Sequence, residues 1–355
     1  EMKLWRRSSP TPLPTQPMAS EGVEVYLMAI ASLIVLSLLP LLLLRRRASS
    51  PRPRPNKVDL AASSSLSQLL HQHADAIRRL REVYVRVGGK ADEYIEPFLL
   101  RFILATAGDE QEAAEWLTET TQWRLRTGAE EVRAKVLEGS CLFDLHPAVG
   151  IITTNFPCLV SHGHAHDGGP VSIFVHDGFD PPTLMGKLSP EEYLSGVVAM
   201  FEYNMVQCDR RSKELDRLVK ITNVFDFDRL TINHLNLRFL TQYTRQFISL
   251  DKNYPESFDA LLCINAPGLF QVGYRIARPW MSPQFREKIS IHSTPEESAE
   301  ATLRQIPRKH LPQVFGGECA KMPQEVAKRV GYTSIDETKR AKLFSGYKLG
   351  GYYAQ

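Results

Sequence analysis

Three alternating histidines, His162, His164 and His166, have the residue type and spacing most suggestive of chemistry. In an extended strand they share one face, and converging imidazoles can hold a divalent metal that activates water, so a metal-dependent hydrolase is one alternative reading. The three lie in the turn-rich run HGHAHDGGP, with no second carboxylate or histidine cluster beside them. Asp226 and Asp228 could pass for an acid–base pair, but they close a β-branched run where turn-forming carboxylates are common, and they read as structural. No G-x-S-x-G, P-loop or G-x-G-x-x-G occurs, so nucleophile-elbow, nucleotide and dinucleotide chemistry have no support. No enzyme activity, metal or cofactor is expected.

Charge excludes another class. The 355 residues carry a net charge of +3, but residues 45 to 57 hold six basic side chains and no acidic one, while residues 58 to 355 sum to −3. A mildly acidic body offers little to neutralise phosphates, so no nucleic-acid partner is expected. The five cysteines, Cys141, Cys158, Cys208, Cys263 and Cys319, are odd in number, widely spaced and without a C-x-x-C pair, which fits a reducing compartment. An apolar share of 43% is that of a globular protein.

Near the N-terminus, Val25 to Leu44 is 20 residues without a charge. As a helix it spans about 30 Å, enough to cross a bilayer. Arg45, Arg46 and Arg47 follow it, and with Arg52 and Arg54 they form a basic cluster suited to a membrane surface. The expectation is a single-pass membrane protein with its domain facing the cytosol, in the endoplasmic reticulum or another endomembrane.

The elements that must position any site follow. Helical periodicity runs from Leu66 to Val87 and from Tyr94 to Ala105, and Asp109 with Glu112 marks a third helix start. Pro157 to Ser161 and Val171 to Val175 read as a hairpin. Ser189-Pro190-Glu191-Glu192 opens a long helix burying Leu194, Val197, Val198, Phe201, Met205 and Cys208. Leu218 to Asp226, a helix through Phe239 and Tyr243, and Ala260 to Asn265 make a β-α-β unit with parallel strands. Ile289 to His292 adds a strand and Thr294 opens another helix. Between them Leu269 to Met281 is apolar around most of its circumference, a pattern shared by a buried helix and by a movable lid.

These stretches together resemble the CRAL-TRIO lipid-binding and lipid-transfer family. The likeness rests on FLLRFILATAGDEQEAAEWLTETTQWR (Phe98 to Arg124), DGGPVSIF (Asp167 to Phe174), NVFDFDRLT (Asn223 to Thr231), NYPESFDALLCINAPGLF (Asn253 to Phe270) and LPQVFGGEC (Leu311 to Cys319). The resemblance implies an α/β fold with a small helical lobe and a mixed, largely parallel sheet flooring an apolar pocket. A gate helix would carry Leu269, Phe270, Tyr274, Ile276 and Trp280, with Phe285 beyond it. It assigns Glu256, Lys288 and Asn223 to ligand binding, whereas Thr106, Phe285 and Ser172 stand where inositide or choline-lipid binders have Arg, Thr and Tyr. The implied function is binding and transfer of a single phospholipid or similar hydrophobic ligand, with the membrane as partner; a lipid-sensing module without net transfer is the alternative. The implied layout is a tail over 1–24, a transmembrane helix over 25–44, a linker over 45–65, a helical lobe over 66–130, the lipid-binding domain over 131–320 and an extension over 321–355.

Overall fold

The structure is a computed structural model describing residues 64–318, apart from 157, 177–178, 229, 232–233, 235, 240–241, 244–249, 251, 278–282, 313–314 and 316. It opens with helices. α1 (Leu66–Gln72) starts at a capping box, in which the Ser65 hydroxyl accepts from the Gln68 amide and the Gln68 side chain accepts from the Ser65 amide. The continuous helix expected over 66–87 is broken at His73, which caps α1 and precedes α2 (Ala74–Val87). Gly88, at φ 107°, ends α2 in the left-handed conformation that glycine adopts without strain. α3 (Ile95–Ala105) and α4 (Glu110–Thr127) then pack on them, burying Leu69, Ile77, Leu80, Phe98, Phe102 and Leu117 in one cluster. α5 (Ala129–Leu137), α6 (Leu142–Leu145) and α7 (Pro147–Asn155) lead to the sheet.

Among the described residues the sheet has five strands, in the order β1 (Cys158–Leu159), β2 (Val171–Val175), β3 (Ile221–Asp226), β4 (Phe258–Ile264) and β5 (Ile289–Ile291). β1 pairs antiparallel with β2, and β2 to β5 are parallel, the mixed sheet that the pattern anticipated. Parallel neighbours need crossovers. α8 (Pro181–Lys187) and α9 (Pro190–Glu214) lie between β2 and β3, α10 (Leu237–Phe239) between β3 and β4, and α11 (Gly268–Ala277) and α12 (Pro283–Glu287) between β4 and β5. α13 (Pro295–Gln305) follows β5 and packs on β4.

The two faces of this sheet differ. One carries Val171, Ile173, Val175, Val224, Ala260, Leu262 and Ile264, each at most 7% exposed, sealed by Ile306, Leu311 and Phe315. The other carries Ser172, Phe174, Ile221, Asn223, Phe225, Leu261 and Cys263, and meets α7, α8 and α9.

Ion pairs buried from water fasten the helices to α9. Glu202 and Asp209, fully buried, share its inward stripe with Val198 and Met205. Arg124 of α4 donates to Glu202 at 2.5 and 3.2 Å and also binds Glu130, while Arg133 of α5 reaches Asp209 at 3.1 Å and Asp92 at 2.6 Å. The Phe98 ring lies 5.1 Å from the Arg124 guanidinium. The two carboxylates hold the Arg124 guanidinium in its charged form, against the opposing pull of burial.

The expected membrane topology is corrected. Among the described residues no helix is long and apolar enough to cross a membrane. The physical reason is plain in α9, which has 25 residues but carries Glu191, Glu192, Glu202, Asp209, Arg210 and Arg211. Residues 25–44 and the cluster Arg45, Arg46, Arg47, Arg52 and Arg54, on which that expectation rested, lie outside the described residues, as does 321–355.

The β1–β2 connection holds the three histidines apart. His162 is 3% exposed with neither ring nitrogen hydrogen-bonded among the described residues, the His164 ring meets His310 edge-on at 5.5 Å, and His166 Nε2 lies 3.3 Å from the Leu303 carbonyl. No three His, Cys, Asp or Glu among the described residues are placed to hold a metal ion. Burial, reinforced by His310, pushes His162 down to about 4.

Two outcomes follow from these buried groups. Replacing Arg124 by Met strands Glu202 and Glu130 in the interior and should cost about 3–5 kcal/mol in urea unfolding, whereas Arg211→Met, which breaks the exposed pair with Glu214, should cost under about 1 kcal/mol. The unfolded chain protonates an imidazole near pH 6.5, about 2.5 units above the folded value, so stability is intact above pH 6.5 and falls by about 1.4 kcal/mol per unit below it. His162→Leu should therefore recover about 2 kcal/mol of the loss between pH 6.5 and 5; an unchanged slope would assign the acid sensitivity elsewhere.

Candidate functional site

Strand register lines up two rungs on the face that meets α7 to α9. One runs Cys158, Phe174, Phe225, Cys263, Ile291; the other runs Ser172, Asn223, Leu261, Ile289. Phe174 and Phe225 stack at 5.0 Å with 14° between planes, and Phe156, the C-cap of α7, adds a third ring 5.9 Å from Phe174. β2 and β3 are interior strands, yet Phe174 and Phe225 remain partly exposed; Ile289 and Ile291, partly exposed too, lie on β5 at the edge of the sheet among the described residues. On the opposite face the neighbouring positions are sealed, so the space over this half of the floor is the less filled of the two.

Aromatic rings rim that space. Phe227, just past β3, stacks on His176 and packs against Phe270 of α11, both at 4.1 Å, and Phe285 of α12 meets Phe258 at 6.2 Å. Burial pushes His176 down to about 4, and its Nδ1 donates to the Asp226 carbonyl at 3.0 Å, so this ring is neutral at pH 7.

α11 starts at a firmly fixed turn. Asn265, at φ 49°, donates its Nδ2 to Asp226 Oδ1 at 2.9 Å and its amide to Ser298 Oγ, and the Ala266 amide donates to His292 O. Asp226 thus has the structural role expected of it. Of the gate residues, Leu269, Phe270 and Tyr274 are half-buried on α11 and Phe285 is half-buried on α12. The Ile276 side chain and Trp280 lie outside the described residues.

Polar groups gather toward the start of the strands. Asn223 is 5% exposed, and its Oδ1 accepts no hydrogen bond among the described residues. Beside it in register, Ser172 donates to Asn204 Oδ1 at 3.2 Å, which also accepts from Ser161 at 2.6 Å. Lys220, Glu256 and Lys288 stand just before β3, β4 and β5, at one end of the sheet. Glu256 Oε2 takes the Lys220 ammonium at 2.6 Å, the two side chains being 17% and 20% exposed. The Lys288 carbonyl accepts from Leu261 N at 2.8 Å, where the β4–β5 pairing begins.

Sequence reasoning named Glu256, Lys288 and Asn223 but missed Lys220 and the buried arginines. A signal was present. Glu202 and Asp209 recur seven residues apart on an apolar helix stripe, and Arg101 sits inside the apolar run FLLRFIL; a charge in such a place demands a buried partner. For Lys220 no pattern of spacing foretells that its partner is Glu256, 36 residues away.

Known proteins are similar to this chain in sequence and fold. The sequence model of the CRAL/TRIO domain matches residues 157–317. Protein real-time of Aedes aegypti is 25% identical over 240 residues, covering 67% of this chain and 35% of its own, so the chain spans about a third of that relative. SEC14 cytosolic factor of Eremothecium gossypii is 24% identical over 253 residues, 70% of this chain and 78% of that protein. The crystal structure of Sfh5 superposes with a TM-score of 0.52 at 15% identity, covering 72% of this chain and 88% of that one, a likeness of fold. The domain match, the mixed sheet and the likeness of fold agree: over residues 157–317 this chain is similar to the CRAL/TRIO domain.

Proposed function

We propose that the chain binds one phospholipid, or a similar hydrophobic ligand, on the Phe174–Phe225 floor beneath α11 and passes it between membranes without covalent chemistry. The observation that carries this reading is the partial exposure of apolar side chains on interior strands, opposite a face that is sealed. Each methylene moved from water onto such a surface contributes about 0.8 kcal/mol, so acyl chains would supply the affinity. A site that holds them in water must also close. α11 is the closing element in this reading: its Phe270 reaches the rim at Phe227, and the Asn265–Pro267 turn is the pivot.

The polar part of the ligand lies toward the start of the strands. There Asn223 offers an oxygen unsatisfied among the described residues to a hydroxyl or amide donor, and Lys288 and the Lys220–Glu256 pair offer charges suited to a phosphate bearing hydroxyls. SEC14 cytosolic factor and the CRAL/TRIO domain match support the lipid reading.

Transfer of pyrene-labelled phospholipid between vesicles tests it. Phe270→Asp places a charge at the rim and should slow transfer by at least about tenfold with the fold retained by circular dichroism; transfer at the wild-type rate would contradict the role given to α11. Lys288→Glu should reduce retention of phosphatidylinositol several-fold relative to phosphatidylcholine, and an unchanged ratio would remove Lys288 from the site.

A further inference from the structure

The Lys220–Glu256 pair is held by a residue that neither the strands nor the gate supply. Arg101, on α3, is 1% exposed. Its Nη1 donates to the Glu256 carbonyl at 2.7 Å and its Nη2 to the Val219 carbonyl at 2.9 Å, so one planar guanidinium ties together the backbone entering β4 and the backbone entering β3. Val219 immediately precedes Lys220. Together with the backbone bond from Ile221 N to Ser257 O at 2.8 Å, these two bonds brace the spacing between the bases of the Lys220 and Glu256 side chains. Glu256 sits at φ 52°, a left-handed conformation that a non-glycine residue keeps only when its surroundings enforce it.

More of the helical segment grips the same loop. Trp116 Nε1 donates to the Lys252 carbonyl at 2.6 Å, Lys252 pairs with Glu119 at 2.5 Å, and the Tyr254 hydroxyl donates to Glu202 beside Arg124. Asp209 balances the Arg101 charge at 3.5 Å while keeping Arg133 at 3.1 Å.

We infer that Arg101 is a positioning residue for headgroup recognition: by bracing Val219 and Glu256 it fixes the Lys220–Glu256 pair in the geometry that selects a phosphate bearing hydroxyls. This rests on the reading that the pair meets the ligand's polar part. Lysine cannot replace the arginine, because one ammonium on a flexible stem does not reproduce two N–H groups in a rigid fork.

The test uses the full chain and uptake of pyrene-labelled phosphatidylinositol and phosphatidylcholine from vesicles. Arg101→Met keeps the apolar stem and leaves Asp209 to Arg133; Arg101→Lys keeps the charge if the first variant fails to fold. Either should lower the phosphatidylinositol-to-phosphatidylcholine uptake ratio by about tenfold or more while phosphatidylcholine uptake stays within about twofold, with Lys no better than midway to wild type. Equal loss of both lipids, or a wild-type ratio in the variant that folds, would overturn the inference and leave Arg101 a stabilising residue. Glu256→Gln separates the two readings. If Glu256→Gln lowers the ratio and Arg101→Met does not, the positioning role fails alone; if Glu256→Gln leaves the ratio unchanged, the headgroup reading fails first.

Discussion

A sheet buried between layers of helix has two faces to fill, and this one fills them unequally. Behind β2, β3 and β4 the side chains interlock with Ile306, Leu311 and Phe315 until almost no surface is left. In front, Phe174, Phe225, Ile289 and Ile291 keep part of their surface uncovered. Interiors pack to crystal-like density, so apolar surface left open on a central strand has a cost that folding alone does not demand. A ligand that covers it recovers that free energy, which is why the open face rather than the sealed one carries the functional reading.

Such a face must be held open by something rigid. The buried ion pairs do this from one side: Arg124, Arg133 and Arg101 fix α4, α5 and α3 against Glu202 and Asp209 of α9. The sealed face does it from the other. Between these two fixed bodies α11 is joined to the sheet through the Asn265 turn and the Phe227–Phe270 contact, and Gln271 donates to Ser293 just past β5.

Much of the fold was legible in local pattern. Ser189 and Thr294 sit at N-caps with Glu three residues on, and both helices begin where those residues place them. The β-α-β spacing gave parallel strands. His73 was harder to see, because a break in the hydrogen-bond ladder leaves apolar periodicity intact. The site was legible only in part: Asn223, Glu256 and Lys288 came from resemblance, whereas the Lys220 partnership and the Arg101 brace depend on which strands become neighbours. The membrane expectation rested on the apolar run 25–44 and the basic cluster after it, and among the described residues no helix supports it.

The central claim is that ligand lies on the open face of the sheet. Photocrosslinking with a phospholipid carrying a diazirine in its acyl chain, followed by peptide mass spectrometry, tests it directly. Labels should fall on the β2, β3 and β5 peptides at Phe174, Phe225 and Ile289 to Ile291, at one lipid per chain. Labels confined to outward-facing helix residues, or spread over the chain in proportion to exposure, would contradict it.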